Sequence, residues 1–148
     1  MPNRRDVPPP VGKVNQEIVD RTNSLIQTIA RPHEKRIEAK PSPFWKGLLD
    51  VGSELWLDTG DIDAASALWC SECSALTTNN TLLNKEVQKG TYDQAIIEAG
   101  RALADLEDTN RVIEIAFILN SLHGLRLVER FGVKVSVELH TDLANDAE

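Results

Sequence analysis

Apolar and polar positions along the chain predict a helix first. Between residues 13 and 30, apolar side chains recur at helical spacing: Val14, Ile18, Leu25, Ile26 and Ile29. Pro32 is expected to end or kink this helix, because proline cannot donate the next backbone hydrogen bond. Residues 31–40 are mostly charged and could form a second, solvated helical segment.

A further helix is predicted between Ser42 and Gly52. Ser42 can cap it, Pro43 suits its first position and Gly52 can end it. Residues 13–52 are therefore interpreted as an N-terminal helical extension that packs on the rest of the protein or on a partner. Residues 1–12 contain four prolines and two arginines and predict a flexible arm.

Beyond Gly52 the pattern changes to short strands that alternate with helices. The predicted strands comprise residues 54–58, 74–78 and 133–139, and the predicted helices comprise residues 62–69, 82–89, 92–106 and 109–131. Apolar residues nearly encircle the last helix, which indicates that it is buried or meets both the sheet and a neighbour. Residues 53–148 therefore predict an α/β fold built on parallel strands.

Helix capping separates structural residues from candidate site residues. Asp61 is placed to cap the helix that begins at residue 62, and Asn80 or Thr81 to cap the next helix. Asp58 is less easily explained by capping, because it lies within the strand pattern. If the leucines of the first strand face the helices, Asp58 points away from them at the carboxyl end of that strand.

Composition narrows the classes of function. The chain of 148 residues is long enough for one domain, but a complete eight-stranded barrel needs about 250 residues. The net charge of −7 disfavours non-specific binding to nucleic acid or to anionic membranes. No apolar run approaches the roughly 20 residues of a transmembrane helix, and the first residues lack the apolar segment of a signal peptide. A cytoplasmic location is therefore expected.

The two cysteines form the motif Cys70-Ser-Glu-Cys73. Such a pair can be a redox site or half of a zinc site. A structural zinc site needs two further ligands, and no second pair of Cys or His has suitable spacing. A redox pair usually begins a helix after a strand, whereas this pair follows an apolar helical stretch. We therefore expect two reduced cysteines in a helix end or loop, and no metal site.

Three motifs, in this order, resemble the first three strands of the transaldolase family. They are Leu57-Asp58-Thr59-Gly60-Asp61-Ile62, then Thr77-Thr78-Asn79-Asn80-Thr81-Leu82, then Val137-Glu138. The middle motif has Asn80 where the commoner family form has proline, which indicates a divergent branch. The resemblance covers approximately residues 54–148.

This resemblance implies the opening part of a transaldolase-like (β/α)₈ TIM barrel, preceded here by the helical extension. It also implies a transferase of the pentose phosphate pathway with class I aldolase chemistry and no cofactor. In that family a lysine on a later strand forms a Schiff base with a ketose phosphate. The dihydroxyacetone unit left after cleavage is then transferred to an aldose phosphate.

Four residues match family positions at the site. Asp58 matches the aspartate that handles the proton of the cleaved hydroxyl, and Glu138 matches the acid/base that acts through a water during Schiff-base formation. Asn79 matches the residue that hydrogen-bonds the ketose, and Thr77 lies beside them, where it could orient the water or line the pocket. Each also has a structural alternative: Asp58 as a turn or cap residue, Asn79 as a helix cap, and Glu138 as a solvated residue on an edge strand.

The family's Schiff-base lysine lies on the strand after Glu138, beyond Glu148. Lys134 shares a strand face with Glu138 but precedes it by roughly 13 Å, and Lys85 and Lys89 lie on a predicted outer helix. We therefore expect the chain alone to be inactive, either as the N-terminal fragment of a transaldolase-like enzyme or as a non-catalytic interaction or assembly module. Open strand edges predict self-association or a partner chain, and a sugar phosphate substrate is expected only if the barrel is completed.

Overall fold

The computed structural model describes residues 15–30 and 35–138. Predictions for residues 1–12, Pro32, Leu139 and His140 lie outside these residues. The described elements are α1 (Gln16–Ile29), α2 (Pro43–Asp50), β1 (Leu55–Asp58), α3 (Ile62–Leu68), β2 (Cys73–Thr78), α4 (Asn80–Gln88), α5 (Asp93–Ala102), α6 (Asp108–Phe131) and β3 (Lys134–Val137).

The three strands form one parallel sheet in the order β1-β2-β3. Parallel neighbours need a crossover connection, and here α3 joins β1 to β2 while α4, α5 and α6 join β2 to β3. The predicted α/β class is confirmed to this extent, since three parallel strands with helical crossovers are compatible with part of a β/α fold. A closed eight-stranded barrel stays an expectation from the resemblance.

One face of the sheet packs against helices. Leu57, Leu76 and Val135 are aligned across the three strands, and they join a core with Leu127 and Phe131 of α6. Leu76 is fully buried, which contributes about 2–3 kcal/mol of hydrophobic stabilisation. The leucines of β1 and the valines of β3 therefore face the helices, as their alternation predicts.

A second core lies among the helices that follow β2. Ala99 and Leu103 at the end of α5 and Ile118 in α6 are fully buried there. The apolar side chains of the last two turns of α1, Leu25, Ile26 and Ile29, pack against this cluster. The first helix thus rests on α5 and α6 rather than on the sheet.

The segment between α1 and α2 differs from its prediction. A solvated helix was expected over residues 31–40, but residues 35–42 contain no helix, and Lys40 forms a parallel β-bridge with Cys70. The backbone N–H of Ile37 donates to the carbonyl of Arg130 at 2.8 Å. These backbone groups therefore find partners on distant elements instead of within a helical turn, and the helical prediction is wrong for this part.

Three helices end at the glycines that the sequence predicted, whereas α5 does not follow its apolar pattern. Gly52, Gly90 and Gly132 have φ values of 82°, 80° and 66°, the left-handed conformation that ends a helix at glycine. By contrast, α5 stops at Ala102 although apolar spacing predicted a helix to residue 106. Leu103 and Leu106 keep that spacing within a turn, where both still contact the second core.

No helix of the described segments is long and apolar enough to cross a membrane.

Candidate active site

Polar side chains collect at the carboxyl end of the sheet. Asp58 is the last residue of β1, Thr77 lies one residue before the end of β2, and Glu138 directly follows β3. Parallel strands present their carboxyl ends at the same edge, which is where β/α proteins place their sites. This edge therefore contains all four residues that the sequence predicted, since Asn79 directly follows β2.

Asp58, Thr77 and Ser136 are neighbours across the sheet. The register pairs Asp58 with Thr77 and Thr77 with Ser136, so the three side chains share the face opposite to the helices. Thr77 Oγ1 donates a hydrogen bond to Asp58 Oδ1 at 2.8 Å. The Asp58 carboxylate is exposed on this face, so one of its oxygens is oriented by Thr77 while the group stays open to solvent.

Glu138 is directed toward the neighbouring strand end. Its Oε2 accepts a hydrogen bond from the backbone N–H of Asn80, the first residue of α4, at 3.2 Å. A carboxylate at a helix N-terminus is favoured, because the first N–H groups of a helix lack intrahelical partners. Glu138 thus lies beside the β2–α4 connection, and the structure gives it no direct hydrogen bond to Asp58.

Asn79 caps α4. Its Oδ1 accepts the backbone N–H of Leu82 at 3.0 Å, and its extended backbone is that of an N-cap residue. The sequence prediction that Asn80 or Thr81 caps this helix is therefore wrong by one or two residues. Asn80 instead accepts a hydrogen bond from Asn120 of α6 through its own side-chain oxygen. A ligand at the sheet edge would meet the amide Nδ2 group of Asn79 rather than its capping oxygen.

Asp61 is the structural residue that the sequence predicted. Its Oδ1 accepts the backbone N–H of Ala64 at 2.9 Å and caps α3. Its Oδ2 accepts a hydrogen bond from Lys89 Nζ at 2.8 Å, and the same ammonium donates to Glu86 Oε1 at 2.6 Å. These hydrogen bonds, first with Asp61 and then with Glu86, raise the pKa of Lys89. Lys89 is therefore held in its charged form, which is not nucleophilic.

Lys134 lies one side-chain layer below the polar edge. It is paired with Ala75, while Thr77 and Ser136 form the next pair on the same face toward the carboxyl end. Since each strand residue advances about 3.3 Å, its Cα lies two residues behind Ser136 and four behind Glu138. Lys134 is therefore not at the edge where Asp58 and Glu138 lie.

A buried histidine below this edge was missed by the sequence reasoning. His123 of α6 is fully buried, and its Nδ1 lies 2.7 Å from the hydroxyl of Tyr92. Its Nε2 has no hydrogen-bond partner among the described residues and lies against Gly60, where a Cβ would come within 3.2 Å of it. Burial lowers the pKa of His123, so the ring is neutral at pH 7.

A sequence signal for this histidine existed. Leu119, His123 and Leu127 are spaced four residues apart on α6, so a single histidine interrupts an apolar stripe. Its position beneath the Thr59-Gly60-Asp61 turn could not be predicted, because the contact joins residues far apart in sequence.

Among the described residues, no three His, Cys, Asp or Glu side chains cluster closely enough to hold a metal ion. The chemistry that the edge can perform is acid/base transfer by two carboxylates, with hydroxyl and amide groups that can bind polar ligands.

Comparison with curated proteins finds a transaldolase from Xanthomonas euvesicatoria pv. vesicatoria (strain 85-10). It is 35% identical to this chain over 94 residues, which are 62% of this chain but 28% of that transaldolase. No family model matches the chain, and no solved structure matches it significantly. The match supports a transaldolase-like relationship for a chain that spans little more than a quarter of its relative's length.

Proposed function

We propose that this chain forms the first three strands of a transaldolase-like barrel and that its carboxyl edge handles a ketose phosphate once that barrel is complete. The observation that carries the proposal is the Thr77–Asp58 hydrogen bond on the solvent-exposed face of the sheet. A hydroxyl that orients an exposed carboxylate at this end of a parallel sheet is suited to acid/base chemistry on a bound ligand. The similarity to the Xanthomonas transaldolase supports the same class of reaction.

The roles follow from the groups at the edge. A lysine outside this sequence would attack the ketose carbonyl, and Glu138 would exchange protons with the resulting carbinolamine through a water. Asp58 would then accept the proton of the hydroxyl next to the bond that breaks, with Thr77 holding its second oxygen in place. The amide group of Asn79 would donate to a ketose hydroxyl. The retained dihydroxyacetone unit would finally add to an aldose phosphate.

The chain alone is proposed to lack this activity. Class I aldolase chemistry needs an uncharged amine beside the acid/base groups. Lys89 is held charged by Asp61 and Glu86, and Lys134 lies one layer below the edge. Borohydride treatment with fructose 6-phosphate should therefore trap no sugar adduct on the 148-residue chain, as measured by intact mass. A trapped adduct would contradict the proposal that the lysine comes from elsewhere.

The role of Asp58 is testable in a complete barrel. A chimera would place residues 54–138 of this chain in the Xanthomonas transaldolase, in place of the matching segment. Asp58→Asn should lower kcat about 10²–10⁴-fold, the usual contribution of a general acid/base group, while a borohydride-trapped adduct still forms. Asp63→Asn, an exposed change in the first turn of α3, is the matched control. An Asp58→Asn chimera with the parent's kcat would contradict the assignment.

A second candidate is a non-catalytic interaction module. Trp56 lies on the same open face as Asp58 and is 49% exposed, so its apolar ring is available for contact with another chain. The strands β1 and β3 are the sheet edges in the described chain, so their outer backbone groups could pair with another chain. This candidate would be favoured if the chain associates with itself or a partner while neither the chain nor the chimeric barrel yields a borohydride-trapped sugar adduct.

A further inference from the structure

Cys70 and Cys73 are brought together by a tight turn. The turn connects α3 to β2, and the backbone N–H of Cys73 donates to the carbonyl of Cys70 at 3.1 Å. Both thiols are free, more than nine-tenths buried, and their Sγ atoms lie 3.3 Å apart. A four-residue turn closed in this way keeps its end Cα atoms within about 7 Å, which falls in the range that a disulfide can span.

The surroundings of the pair are mostly apolar, apart from the buried Glu72 carboxylate, which accepts a hydrogen bond from Cys70. Trp69, Leu127 and Phe131 belong to the same core cluster as the two cysteines. Within the described part of the chain, no third metal ligand joins the two sulfurs. The contact between the thiols is therefore one of two sulfurs packed against each other, with a short further movement needed to bond them.

The turn also anchors the segment that precedes α2. Lys40 forms its β-bridge with Cys70, and the backbone N–H of Ser71 donates to the carbonyl of Lys40 at 3.1 Å. Glu72 Oε2 accepts the backbone N–H of Ser42 at 2.9 Å. Every residue from 70 to 72 thus contacts this segment, at the end of the sheet opposite to the candidate active site.

We propose that Cys70 and Cys73 are a reversible redox site that closes to an intrachain disulfide with a small-molecule disulfide such as oxidised glutathione. One cysteine thiolate attacks the glutathione disulfide, forms a mixed disulfide and releases one reduced glutathione. The second cysteine then attacks the mixed disulfide and releases the other. Two protein thiols are oxidised, one glutathione disulfide is reduced to two thiols, and the two protons pass from the cysteines to the glutathione sulfurs.

Electrostatics indicate the order of attack. Burial raises the pKa of Cys73 to about 11, so this residue is almost entirely a thiol at neutral pH. Cys73 is therefore poorly suited to the first attack, so we assign that step to Cys70 and the resolution of the mixed disulfide to Cys73. Because both side chains are buried, the first step needs a local opening of the turn. Once formed, the disulfide restricts the motion of the turn to which residues 40–42 are hydrogen-bonded.

The test uses the intact chain, which has two cysteines in all. The protein is equilibrated in glutathione buffers of increasing oxidised fraction, quenched in acid, and alkylated under denaturing conditions for mass analysis. The folded chain should lose both reactive thiols without gaining glutathione, and dithiothreitol should restore them. Half-oxidation should need an oxidised fraction at least tenfold lower than for the same chain in urea, because folding holds the sulfurs together.

Three results would overturn the proposal. They are thiols that stay alkylatable in fully oxidised glutathione, products limited to glutathione adducts or interchain dimers, and equal oxidation of the folded and urea-unfolded chain. Cys73→Ser should stop at the mixed disulfide on Cys70, which identifies the attacking sulfur. If this variant does not fold, hydrogen exchange of the wild-type chain provides a second readout. Oxidation should slow exchange at the amides of Ser42 and Ser71 and leave Ala99 of α5 unchanged; uniform or absent slowing counts against the proposal.

Discussion

At the scale of single residues, Asp61 joins two helices through one carboxylate. It caps α3 with one oxygen and binds Lys89, at the end of α4, with the other. The hydrogen bond from Ala64, and secondarily that from Lys89, lowers the pKa of Asp61 below its ordinary 3.8. A carboxylate with a lowered folded pKa stabilises the fold above pH 3.8 and loses that contribution as the pH falls toward the folded value.

The two roles of Asp61 can be separated by substitution. Asp61→Ala removes the cap and should lower the free energy of unfolding by about 1 kcal/mol, the usual cost of an N-cap replaced by alanine. Asp61→Asn keeps a capping oxygen, so most of this stability should remain at pH 7. Asp63→Ala serves as the control for charge loss in the same turn. Urea unfolding measures all three; equal losses for the Asn and Ala variants would show that the ion pair dominates.

His123 predicts a pH-dependent stability near neutrality. Burial lowers its folded pKa below 6.5; the charge of Glu86 opposes this shift and that of Arg126 adds to it. Below about pH 6.5 the unfolded chain binds a proton that the folded chain does not, so the free energy of unfolding should fall until the folded pKa is reached. Above pH 6.5 this contribution is complete and constant.

The measurement compares urea unfolding at pH 7.5 and pH 5.5. The double variant Tyr92→Phe/His123→Leu removes the hydrogen-bonded pair and should remove most of the loss on acidification. Burial raises the pKa of Glu114, so this residue makes the folded chain more stable as the pH falls, opposite to His123. The contribution of Glu114 is present in both proteins and cancels when the double variant is compared with the wild type. His33→Gln is the control and should keep the pH dependence. An unchanged pH dependence in the double variant would contradict the assignment to His123.

Residues whose partners are close in sequence were the ones that could be predicted. Asp61 caps a helix three residues away, and the alternation around Leu57 and Asp58 placed each on its observed face. The contacts of His123 could not be predicted in this way, because Tyr92 and Gly60 lie 31 and 63 positions before it in the sequence (123 − 92 and 123 − 60). The catalytic roles of Asp58, Thr77, Asn79 and Glu138 stay predictions.

At the scale of elements, Gly124 sets the contact between α6 and β3. A Cβ at this position would come within 2.9 Å of Val137 Cγ2, closer than packed side chains allow. Gly100 in α5 has nothing within 4 Å of its corresponding position. The two glycines therefore form a matched pair, one in open space and one at a close helix–strand contact.

Alanine substitution should stabilise the protein at Gly100 but not at Gly124. Gly100→Ala should raise the free energy of unfolding by about 1 kcal/mol, the difference in helix propensity. At Gly124 the same gain is opposed by overpacking, which costs about 1–3 kcal/mol, so Gly124→Ala should be neutral to destabilising. Urea unfolding of both variants checks this. An equal rise in the free energy of unfolding for Gly124→Ala and Gly100→Ala would contradict this prediction, because it would mean that β3 can shift to make room for the added methyl group at no energetic cost.

The segments that could not be predicted from the sequence are those whose hydrogen-bond partners lie far away along the chain. Gly90 and Gly132 predicted two helix ends, because a left-handed residue is a local requirement. Residues 35–42 carry charges at a density typical of a solvated helix, yet they form no helix. Its backbone partners are Arg130, Cys70 and Glu72, none of which is a neighbour in sequence.

At the scale of the whole molecule, the open face of the sheet predicts association. Trp56 lies on this face and Val112 lies on α6, and both are exposed, at 49% and 66%. Light scattering should show a mass above that of one chain that rises with concentration. Trp56→Ser should weaken this association, whereas Val112→Ser removes apolar surface elsewhere and should not. A monodisperse monomer at all concentrations would contradict an interface on this face.

The anchoring of the segment before α2 has a consequence for the order of events during synthesis. Arg36 donates to the carbonyl of Gly132 across 96 positions in the sequence. Its docking place does not exist until the end of α6 has left the ribosome, although the segment itself emerges early. Closing so long a loop is entropically costly and slow, so residues 35–37 stay undocked after Lys40 and Ser42 can already contact the turn at residues 70–72. Residues 35–42 thus dock from their carboxyl end first, and their first residues are fixed last.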